Sequence, residues 1–212
     1  MTTRRSTRSS VATEPPEGFH YTPGFLSPDE ERVLLEEIDS YPFHEVRMRG
    51  QVARRTVIHF GWDYDYDGWK IHPATPPSPR LRALADRCAA AAGVAPELLE
   101  QFLVARYPPG ATIGWHRDAP MFGSPVIGVS LLSPCTMKLR RTQGEGFAVA
   151  VQTLEPRSLY ILNGAARTQW QHSIPPTKAL RYSISMRTLR RSKKKRDEEP
   201  SGGEADPSPA AT

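Results

Sequence analysis

The stretch Trp115-His-Arg-Asp118 is the starting point, because it places an imidazole and a carboxylate at alternate positions. Side chains in a β-strand alternate between the two faces with a period of two residues. His116 and Asp118 can therefore point to one side and share a bound ion. By the same rule Trp115 points away from them, and we predict that it packs in the core. A His-x-Asp triplet alone is weak evidence, because most such triplets lie by chance on loops.

A third candidate ligand, His172, lies far downstream, just before another stretch with strand character. Two imidazoles and one carboxylate are the ligand set of non-haem Fe(II) oxygenases, in which further coordination positions stay open for chemistry. Such ligands suit Fe, Mn or Zn. The combination of the triplet, a following histidine and downstream arginines is much stronger evidence than any one of them.

The segment 181–187 predicts a strand with one polar face and one apolar face. Its odd-numbered positions are Arg181, Ser183, Ser185 and Arg187, and Tyr, Ile and Met alternate with them. A guanidinium group binds a carboxylate through two parallel hydrogen bonds. Arg181 and Arg187 can therefore hold an anionic ligand beside the metal. The spacing by itself supports only a metal site with an adjoining anion site.

Two helices are predicted in the first half of the chain. Ser27-Pro-Asp-Glu30 forms a capping box with proline at the first helical position, so a helix is expected from there to about Ser40. Ser78-Pro79 begins a second helix, which Gly93 ends. Residues 51–60 are predicted to form a strand. Residues 63–79 are rich in aromatic residues, Asp, Gly and Pro, which indicates a loop or a hairpin lid.

From Phe102 onward the sequence predicts short strands separated by Pro, Gly and Ser. Their ranges are 102–107, 113–117, 125–132, 135–141, 147–153, 157–163 and 179–188. Many short strands with turn signals are typical of a sandwich or a jelly-roll barrel. We therefore predict an α+β fold, in which a double-stranded β-helix (jelly-roll) core has the N-terminal helices packed on one sheet.

The composition predicts one domain over residues 19–190, between a disordered N-terminal tail at 1–18 and a disordered charged C-terminal tail at 191–212. No apolar run approaches the roughly 20 residues of a membrane span, and the start has no secretory signal. Cys88 and Cys135 are expected to be buried, reduced thiols, in keeping with a cytoplasmic location. The protein is expected to be a monomer.

The net charge of +5 suggests a nucleic-acid partner, although both tails contribute to it. The run Arg190-Arg-Ser-Lys-Lys-Lys-Arg196 can contact phosphates, or it can be a solvated tail balanced by the acidic residues 197–199. The sequence leaves both interpretations open.

Several motifs in the same order resemble the AlkB family of Fe(II)/2-oxoglutarate dioxygenases, over about residues 19 to 190. They are Ala105-Arg-Tyr-Pro-Pro-Gly-Ala-Thr-Ile-Gly-Trp-His-Arg-Asp118, Val126-Ile-Gly-Val-Ser-Leu-Leu132, Pro156-Arg-Ser-Leu-Tyr-Ile-Leu-Asn-Gly164, Arg167-Thr-Gln-Trp-Gln-His172 and Arg181-Tyr-Ser-Ile-Ser-Met-Arg187. A fainter match, Arg54-Arg-Thr-Val-Ile-His-Phe-Gly61 with Tyr64 and Tyr66, resembles the substrate-side segment of the family.

The resemblance implies a role for each matched polar residue. His116, Asp118 and His172 are the implied catalytic iron ligands. Arg181 is expected to pair with the distal carboxylate of 2-oxoglutarate, and Arg187 to lie near the carboxylate that chelates iron. Tyr107 is expected to donate a hydrogen bond to the co-substrate. Ala105 and Ser183 stand where repair members of the family commonly carry Asn, so Ser183 belongs to an altered co-substrate shell.

The activity that the resemblance implies uses Fe(II), 2-oxoglutarate and O2, and yields succinate. If the oxidised group is an N-methyl, the products are formaldehyde and a free amine. An alkylated base, flipped out or single-stranded, suits a lid of arginines and aromatic residues. The candidate substrate contacts are Arg55, Trp62, Tyr64, Tyr66 and Trp69. The alternative is that half of these aromatic residues plug the barrel mouth or pack on the helices.

Three hypotheses follow. The first is an oxidative demethylase of alkylated DNA or RNA bases. The second is an oxygenase of the same fold that acts on a protein or a small molecule, because Ala-Pro-Met-Phe122 after Asp118 lacks the acidic residue of some DNA-repair members. The third is a non-catalytic binding module or a zinc-occupied fold, which the complete set of ligand and arginine candidates disfavours.

Overall fold

The computed structural model describes residues 10–11, 14–48, 50–65 and 70–190. Two of the predicted substrate contacts, Tyr66 and Trp69, and most of the basic run after Arg190 lie outside the described residues. The same holds for nearly all of the predicted N-terminal tail up to residue 13. Ser10–Val11 (β1) form a two-residue strand within the segment for which the sequence predicts disorder.

The described chain contains three α-helices and fourteen strands. The helices are α1 (Pro28–Ile38), α2 (Pro79–Ala92) and α3 (Gly164–Thr168), with a 3-10 turn at Pro96–Leu98. The strands after β1 are β2 (Phe19–Thr22), β3 (His44–Met48), β4 (Gln51–Phe60), β5 (Trp62–Asp65), β6 (Lys70–Pro73), β7 (Gln101–Tyr107), β8 (Ile113–His116), β9 (Phe122–Leu131), β10 (Cys135–Gln143), β11 (Gly146–Leu154), β12 (Ser158–Leu162), β13 (Gln171–Ile174) and β14 (Arg181–Leu189).

Two sheets form the body of the fold. The major sheet has seven strands in the order β2-β12-β9-β14-β7-β4-β3, and the minor sheet has five in the order β1-β11-β10-β13-β8. All pairs are antiparallel except β1 with β11. β5 and β6 form a separate ribbon in the predicted lid. A mostly antiparallel two-sheet arrangement with few helices agrees with the predicted jelly-roll class.

One apolar cluster lies between the two sheets. It contains Val126 and Leu162 from the major sheet and Met137, Leu139 and Ala150 from the minor sheet, all buried. Alternation along the strands produces this interior, because inward positions are apolar at one end of the sandwich. At the other end the inward positions of β14 are polar, and the candidate site lies there.

A second cluster covers the opposite face of the major sheet. Buried residues of α1 and α2, such as Leu34, Leu81 and Cys88, belong to one cluster with Ile184 and Met186 of β14. The even-numbered positions of β14 therefore pack in this core, as the alternation predicts. The start of α1 also agrees with the sequence, because the Ser27 side chain accepts from the Glu30 amide at 3.2 Å and the Glu30 carboxylate accepts from the Ser27 amide at 2.7 Å.

The prediction that Trp115 packs in the core is wrong. Trp115 is only partly buried, and its ring lies 4.4 Å from the Arg140 guanidinium, which also lies 4.5 Å from the Phe147 ring. The alternation rule placed Trp115 correctly on the face opposite His116. However, β8 is an edge strand of the minor sheet, and the outer face of that sheet is a surface on which arginine covers the indole.

No helix in the described ranges is long and apolar enough to cross a membrane.

Candidate active site

The floor of the site is the inner face of β14, which lies between β7 and β9 in the major sheet. Arg181 pairs with Tyr107 of β7, and Ser183 pairs with Ala105 on one side and Ser130 on the other. Side chains at paired positions lie on the same face of a sheet. The hydrogen-bonding register therefore gathers the polar residues of three strands on one surface.

Arg181 is a buried cation without a carboxylate among the described residues. Its side chain is 1% exposed, and the guanidinium donates to the Ser130 hydroxyl at 3.1 Å. The guanidinium carbon lies 5.0 Å from the centre of the Tyr107 ring. The Nε of Arg181 is buried and has no hydrogen-bond partner in the described part of the chain. Because an unpaired buried charge is costly, this arrangement is suited to an anion that comes from outside the protein.

Tyr160 is a further site residue that the sequence analysis did not single out. It pairs with Gly128, and a Cβ atom at Gly128 would lie 2.1 Å from the Tyr160 ring. Glycine therefore lets the ring lie across β9 toward β14. Burial raises the pKa of Tyr160 to about 12, with Ser185 as a hydrogen-bonding neighbour. The signal in the sequence was a tyrosine among the apolar residues of the strand Ser158–Leu162, because a buried tyrosine usually requires a polar partner.

The three candidate metal ligands lie together at the edge of the minor sheet. β13 pairs with β8 so that His172 is directly opposite His116, and the two ring centres are 4.2 Å apart. Asp118 follows β8, and its Oδ2 lies 3.8 Å from Nε2 of His172. Strand pairing thus unites two histidines that are distant in the sequence.

Each of the three side chains is in the protonation state that metal binding requires. Burial, reinforced by the charge of His116, lowers the pKa of His172 to about 3. Burial likewise lowers the pKa of His116, despite Asp118. Burial alone would raise the pKa of Asp118, but the positive groups around it, with Arg187 first, hold that pKa well below its usual range. Near neutral pH the set is two neutral imidazoles and one carboxylate.

The hydrogen bonds around the trio leave atoms free to bind a metal. Nδ1 of His116 lies 2.9 Å from the Gly114 carbonyl, which requires the proton on Nδ1 and leaves the Nε2 lone pair free. Arg187 donates to Oδ1 of Asp118 at 2.8 Å, whereas Oδ2 is buried without a hydrogen-bond partner in the described residues. An orphaned carboxylate oxygen beside two imidazoles fits a divalent iron.

Among the described residues, no group of three or more His, Cys, Asp or Glu side chains is close enough to hold a metal ion as it stands. Oδ2 of Asp118 lies 3.8 Å from Nε2 of His172, which is an ion-pair distance. The backbone brings the three side chains together, and their role as metal ligands is a proposal.

Arg167 is a second residue missed by the sequence analysis. It is 8% exposed, and it donates to the carbonyls of Ala119, Phe122 and Gly123 at 3.2, 2.8 and 3.1 Å. These carbonyls belong to the segment that follows Asp118. Three hydrogen bonds from one rigid guanidinium hold that segment in place, which positions Asp118 without contact with a ligand.

The predicted substrate contacts Tyr64 and Trp62 have different surroundings. Tyr64 is buried, with its ring 5.7 Å from that of Phe122, which in turn lies 5.0 Å from the Arg187 guanidinium. Tyr64 therefore borders the site. Trp62 lines a groove of about 480 Å³ together with Arg82 of α2 and Glu97 of the 3-10 turn. Its role as a substrate contact stays a prediction.

His59 is a buried histidine of β4, and its protonation makes the stability of the folded protein depend on pH. Its Nδ1 lies 2.7 Å from the Asp63 carboxylate, but burial outweighs this attraction and lowers the pKa of His59 to about 4. Below about pH 6.5 an unfolded chain protonates this histidine while the folded protein does not. The folded state must therefore lose stability as the pH falls from about 6.5 to about 4.

We expect this one group to account for about 3 kcal/mol of unfolding free energy between those pH values. Denaturant unfolding of the wild type and His59→Gln at a series of pH values measures it. The His59→Gln variant should show a shallower dependence, whereas His20→Gln, at an exposed position, should follow the wild type. Equal slopes for wild type and His59→Gln would contradict the assignment.

Comparison with known proteins defines the class. A model of the 2OG-Fe(II) oxygenase superfamily matches residues 18–196, so the chain belongs to that superfamily. A solved structure entitled "The structure of OsALKBH1" has the same fold, with a TM-score of 0.63 and 16% identity over 83% of this chain and 99% of that one. An oxygenase of the same superfamily from Burkholderia pseudomallei matches with a TM-score of 0.55, 13% identity, and 81% and 85% of the two chains covered.

Several curated relatives are named as AlkB homologues, which confirms the resemblance found in the sequence. The mitochondrial alpha-ketoglutarate-dependent dioxygenase alkB homolog 7 of Bos taurus is 36% identical over 72% of this chain, and so is that of Mus musculus. The chain spans 65% of the length of these two relatives. The Xenopus tropicalis tRNA (carboxymethyluridine(34)-5-O)-methyltransferase alkbh8 is 29% identical over 77% of this chain and 26% of that protein.

Membership of this superfamily carries a requirement for Fe(II), 2-oxoglutarate and O2. The predicted class, a 2-oxoglutarate/Fe(II)-dependent dioxygenase, is confirmed at the level of the family.

Proposed function

We propose that this protein oxidatively removes N-linked methyl groups from bases of DNA or RNA, with Fe(II) and 2-oxoglutarate. The observation that carries the oxygenase part is the juxtaposition of His116, Asp118 and His172 with the inner face of β14. In that arrangement the three proposed metal ligands lie beside Arg187, which donates to Asp118 at 2.8 Å. Arg187 shares the inner face of β14 with the buried Arg181, so the proposed metal and anion sites adjoin one another.

In this proposal His116, Asp118 and His172 hold the iron. Iron, when bound, supplies the oxidising chemistry that couples the decarboxylation of 2-oxoglutarate to the oxidation of a substrate C–H bond. Asp118 accepts from Arg187, which keeps the carboxylate ionised and oriented. Gly114 fixes the tautomer of His116 through its carbonyl. Arg167 holds the segment after Asp118 through three backbone carbonyls.

The co-substrate is proposed to lie on the inner face of β14. Arg181, whose Nε is unpartnered in the described chain, pairs with the distal carboxylate. Tyr107, whose ring centre lies 5.0 Å from the Arg181 guanidinium, and Tyr160 carry hydroxyl groups that can donate to its oxygens. Ser183, at the next inward position of β14, completes this set. Their burial excludes water from the site.

Nucleic acid is proposed as the substrate on two grounds. The relatives are AlkB homologues, and the name of one of them specifies tRNA. In addition, the buried Arg55 and Tyr64 lie on the side of the major sheet that faces the trio.

The α1–α2 layer is inferred to stiffen β14 from behind, since its buried residues share one cluster with Ile184 and Met186.

A second candidate function is oxidation of a protein or a small molecule by the same site. One observation favours it. The described segment after Asp118, Ala-Pro-Met-Phe122, contains no carboxylate, and Arg167 spans that segment through its carbonyls. A base with a fixed positive charge would find no acidic partner there.

The predicted cytoplasmic location stays a prediction, because the names of the bovine and mouse relatives place those two proteins in mitochondria. The predicted monomeric state likewise stays a prediction.

The test is succinate formation from 2-oxoglutarate with added Fe(II), with and without single-stranded oligonucleotides that carry a methylated base. We expect slow succinate release by the protein alone and a clear stimulation by a methylated strand, with formaldehyde in matching amounts. An unmethylated strand of the same sequence is the control. Succinate release that no oligonucleotide stimulates would retain the oxygenase and reject the nucleic-acid substrate. Absence of any succinate would reject both.

A further inference from the structure

Arg55 lies in the same row of the major sheet as Arg181 and Tyr107. β4 pairs with β7 so that Thr56 is opposite Arg106 and Val57 is opposite Ala105. One residue further along this antiparallel register, Arg55 comes opposite Tyr107, which is itself paired with Arg181. Neighbours in such a row project from the same face of the sheet. Arg55, Tyr107 and Arg181 thus follow one another across three strands on the inner face.

Arg55 is buried, and the described residues offer no partner for its charge. Its side chain is 5% exposed, and Val57, two residues on, is 1% exposed in a cluster with Ala105 and Tyr107. Among the described residues Arg55 makes no hydrogen bond and no ion pair. By comparison, Arg187 on the same face has Asp118 and Gln101, and Arg167 has three carbonyls. A buried guanidinium usually has such partners.

The described surroundings of Arg55 on the inner face of the major sheet contain basic side chains but no acidic side chain that is free to pair with it. At the inward positions of β4, β7, β14 and β9, the described residues include no Asp or Glu. Asp118 is already engaged by Arg187. A dicarboxylate held by Arg181 and an iron held by the trio would cancel each other's charge, so that neither would neutralise Arg55.

We propose that Arg55 binds an oxyanion of the substrate, and that the site therefore selects neutral or anionic substrates over bases with a fixed positive charge. This inference rests on the proposed function and specifies its substrate class. A phosphate or a carboxylate satisfies a buried guanidinium through two parallel hydrogen bonds. A cationic methylated base in the same place would meet an uncompensated like charge in a region of low dielectric.

The first experiment compares two bases that differ in charge but carry the methyl group at the same ring position. Single-stranded RNAs with one N1-methylguanine, which is neutral, or one N1-methyladenine, which is cationic, are titrated into the anaerobic protein with Fe(II) and 2-oxoglutarate. In the wild type we expect the RNA with the neutral base to bind more tightly than the RNA with the cationic base, by about tenfold or more. We expect Arg55→Gln to reduce that preference, and Arg47→Gln, at an exposed position of β3, to retain it.

The second experiment identifies the source of the oxyanion with small probes. N1-methylguanosine is compared with its 5′-phosphate, and N-methylaniline with N-methylanthranilate. A gain of about tenfold or more from the phosphate or from the carboxylate, lost in Arg55→Gln and largely kept in Arg55→Lys, supports the proposal and names the source. No gain in either pair, or gains that Arg55→Gln leaves intact, would overturn it.

A rival role for Arg55 is part of the co-substrate site. In that case Arg55→Gln would raise the 2-oxoglutarate requirement for succinate formation as strongly as a change at Arg181, and the proposal would be rejected. Thermal unfolding of the variants shows whether each is folded. Failure of the proposed function is a separate result. It would appear as a wild type that forms no succinate, or one whose succinate formation no methylated oligonucleotide stimulates.

Discussion

An Asp118→Ala variant is expected to lose succinate formation and bound iron by at least about 100-fold, because changing even a residue behind a metal ligand weakens binding by about 10- to 100-fold. Asp118 contributes the orphaned Oδ2 atom that lies 3.8 Å from His172. Without it two imidazoles remain, and a two-ligand site does not hold iron at a fixed position. Iron retained after gel filtration and succinate formed under saturating 2-oxoglutarate are the measurements.

Asp118→Ala also removes the carboxylate that Arg187 pairs with at 2.8 Å. Removing one partner of a buried pair costs about 3–5 kcal/mol, so the variant should be less stable. Asp118→Asn keeps an oxygen acceptor for Arg187 and should be more stable than Asp118→Ala, yet equally depleted of iron. Asp29→Ala makes the same change at a side chain that is 91% exposed and should behave as wild type. A folded Asp118→Ala protein with iron and half of its turnover would remove Asp118 from the ligand set.

Replacement of Arg181 by Gln is expected to raise the 2-oxoglutarate requirement by about 100-fold or more. Two charge-assisted hydrogen bonds, each worth about 1.5–3 kcal/mol, account for a change of this size. Succinate formation over a series of 2-oxoglutarate concentrations measures the requirement. The thermal stabilisation that 2-oxoglutarate confers on the wild type should disappear in the variant at the same concentrations.

The stability of the ligand-free Arg181→Gln protein should not fall. Arg181 is 1% exposed and its Nε has no partner among the described residues, so the wild type bears the cost of a buried charge that the Ser130 hydroxyl and the Tyr107 ring relieve only in part. Arg141→Gln is the matched control, because that guanidinium lies 5.2 Å from the Trp170 ring and bonds Gln169 on the exposed side. An unchanged 2-oxoglutarate requirement would place the carboxylate grip elsewhere.

The sequence by itself determined which residues share a face. Arg181, Ser183 and Ser185 alternate with apolar residues, so the period of a strand specifies the polar side of β14. The same rule does not account for Asp118, which follows β8 rather than belonging to it. Local rules also determined the start of α1, since the Ser27–Glu30 box needs only four neighbouring residues. The jelly-roll class followed from the number of short strands and the turn residues between them.

Only the tertiary structure decided which faces meet. Alternation gives a side of a strand but not the neighbour that the side faces, because strand pairing joins residues far apart in the chain. The register of β13 with β8 placed His172 against His116, and Gly128 let Tyr160 enter the site. The same limit explains why Trp115 was misplaced, since an outward face is core in one sheet and surface in another.

The case of Arg55 shows this division most clearly. In the sequence it is one of several arginines before an aromatic segment, with nothing to distinguish it from Arg54 or Arg47. The pairing of β4 with β7 buries Arg55 beside Tyr107, whereas Arg47 stays exposed on β3 next to Glu45. The sequence specifies the chemical character of each side chain. The free-energy cost of a charged side chain, and the ligand that it can bind, depend on its burial and on the charges around it. Long-range packing sets that burial and those neighbouring charges.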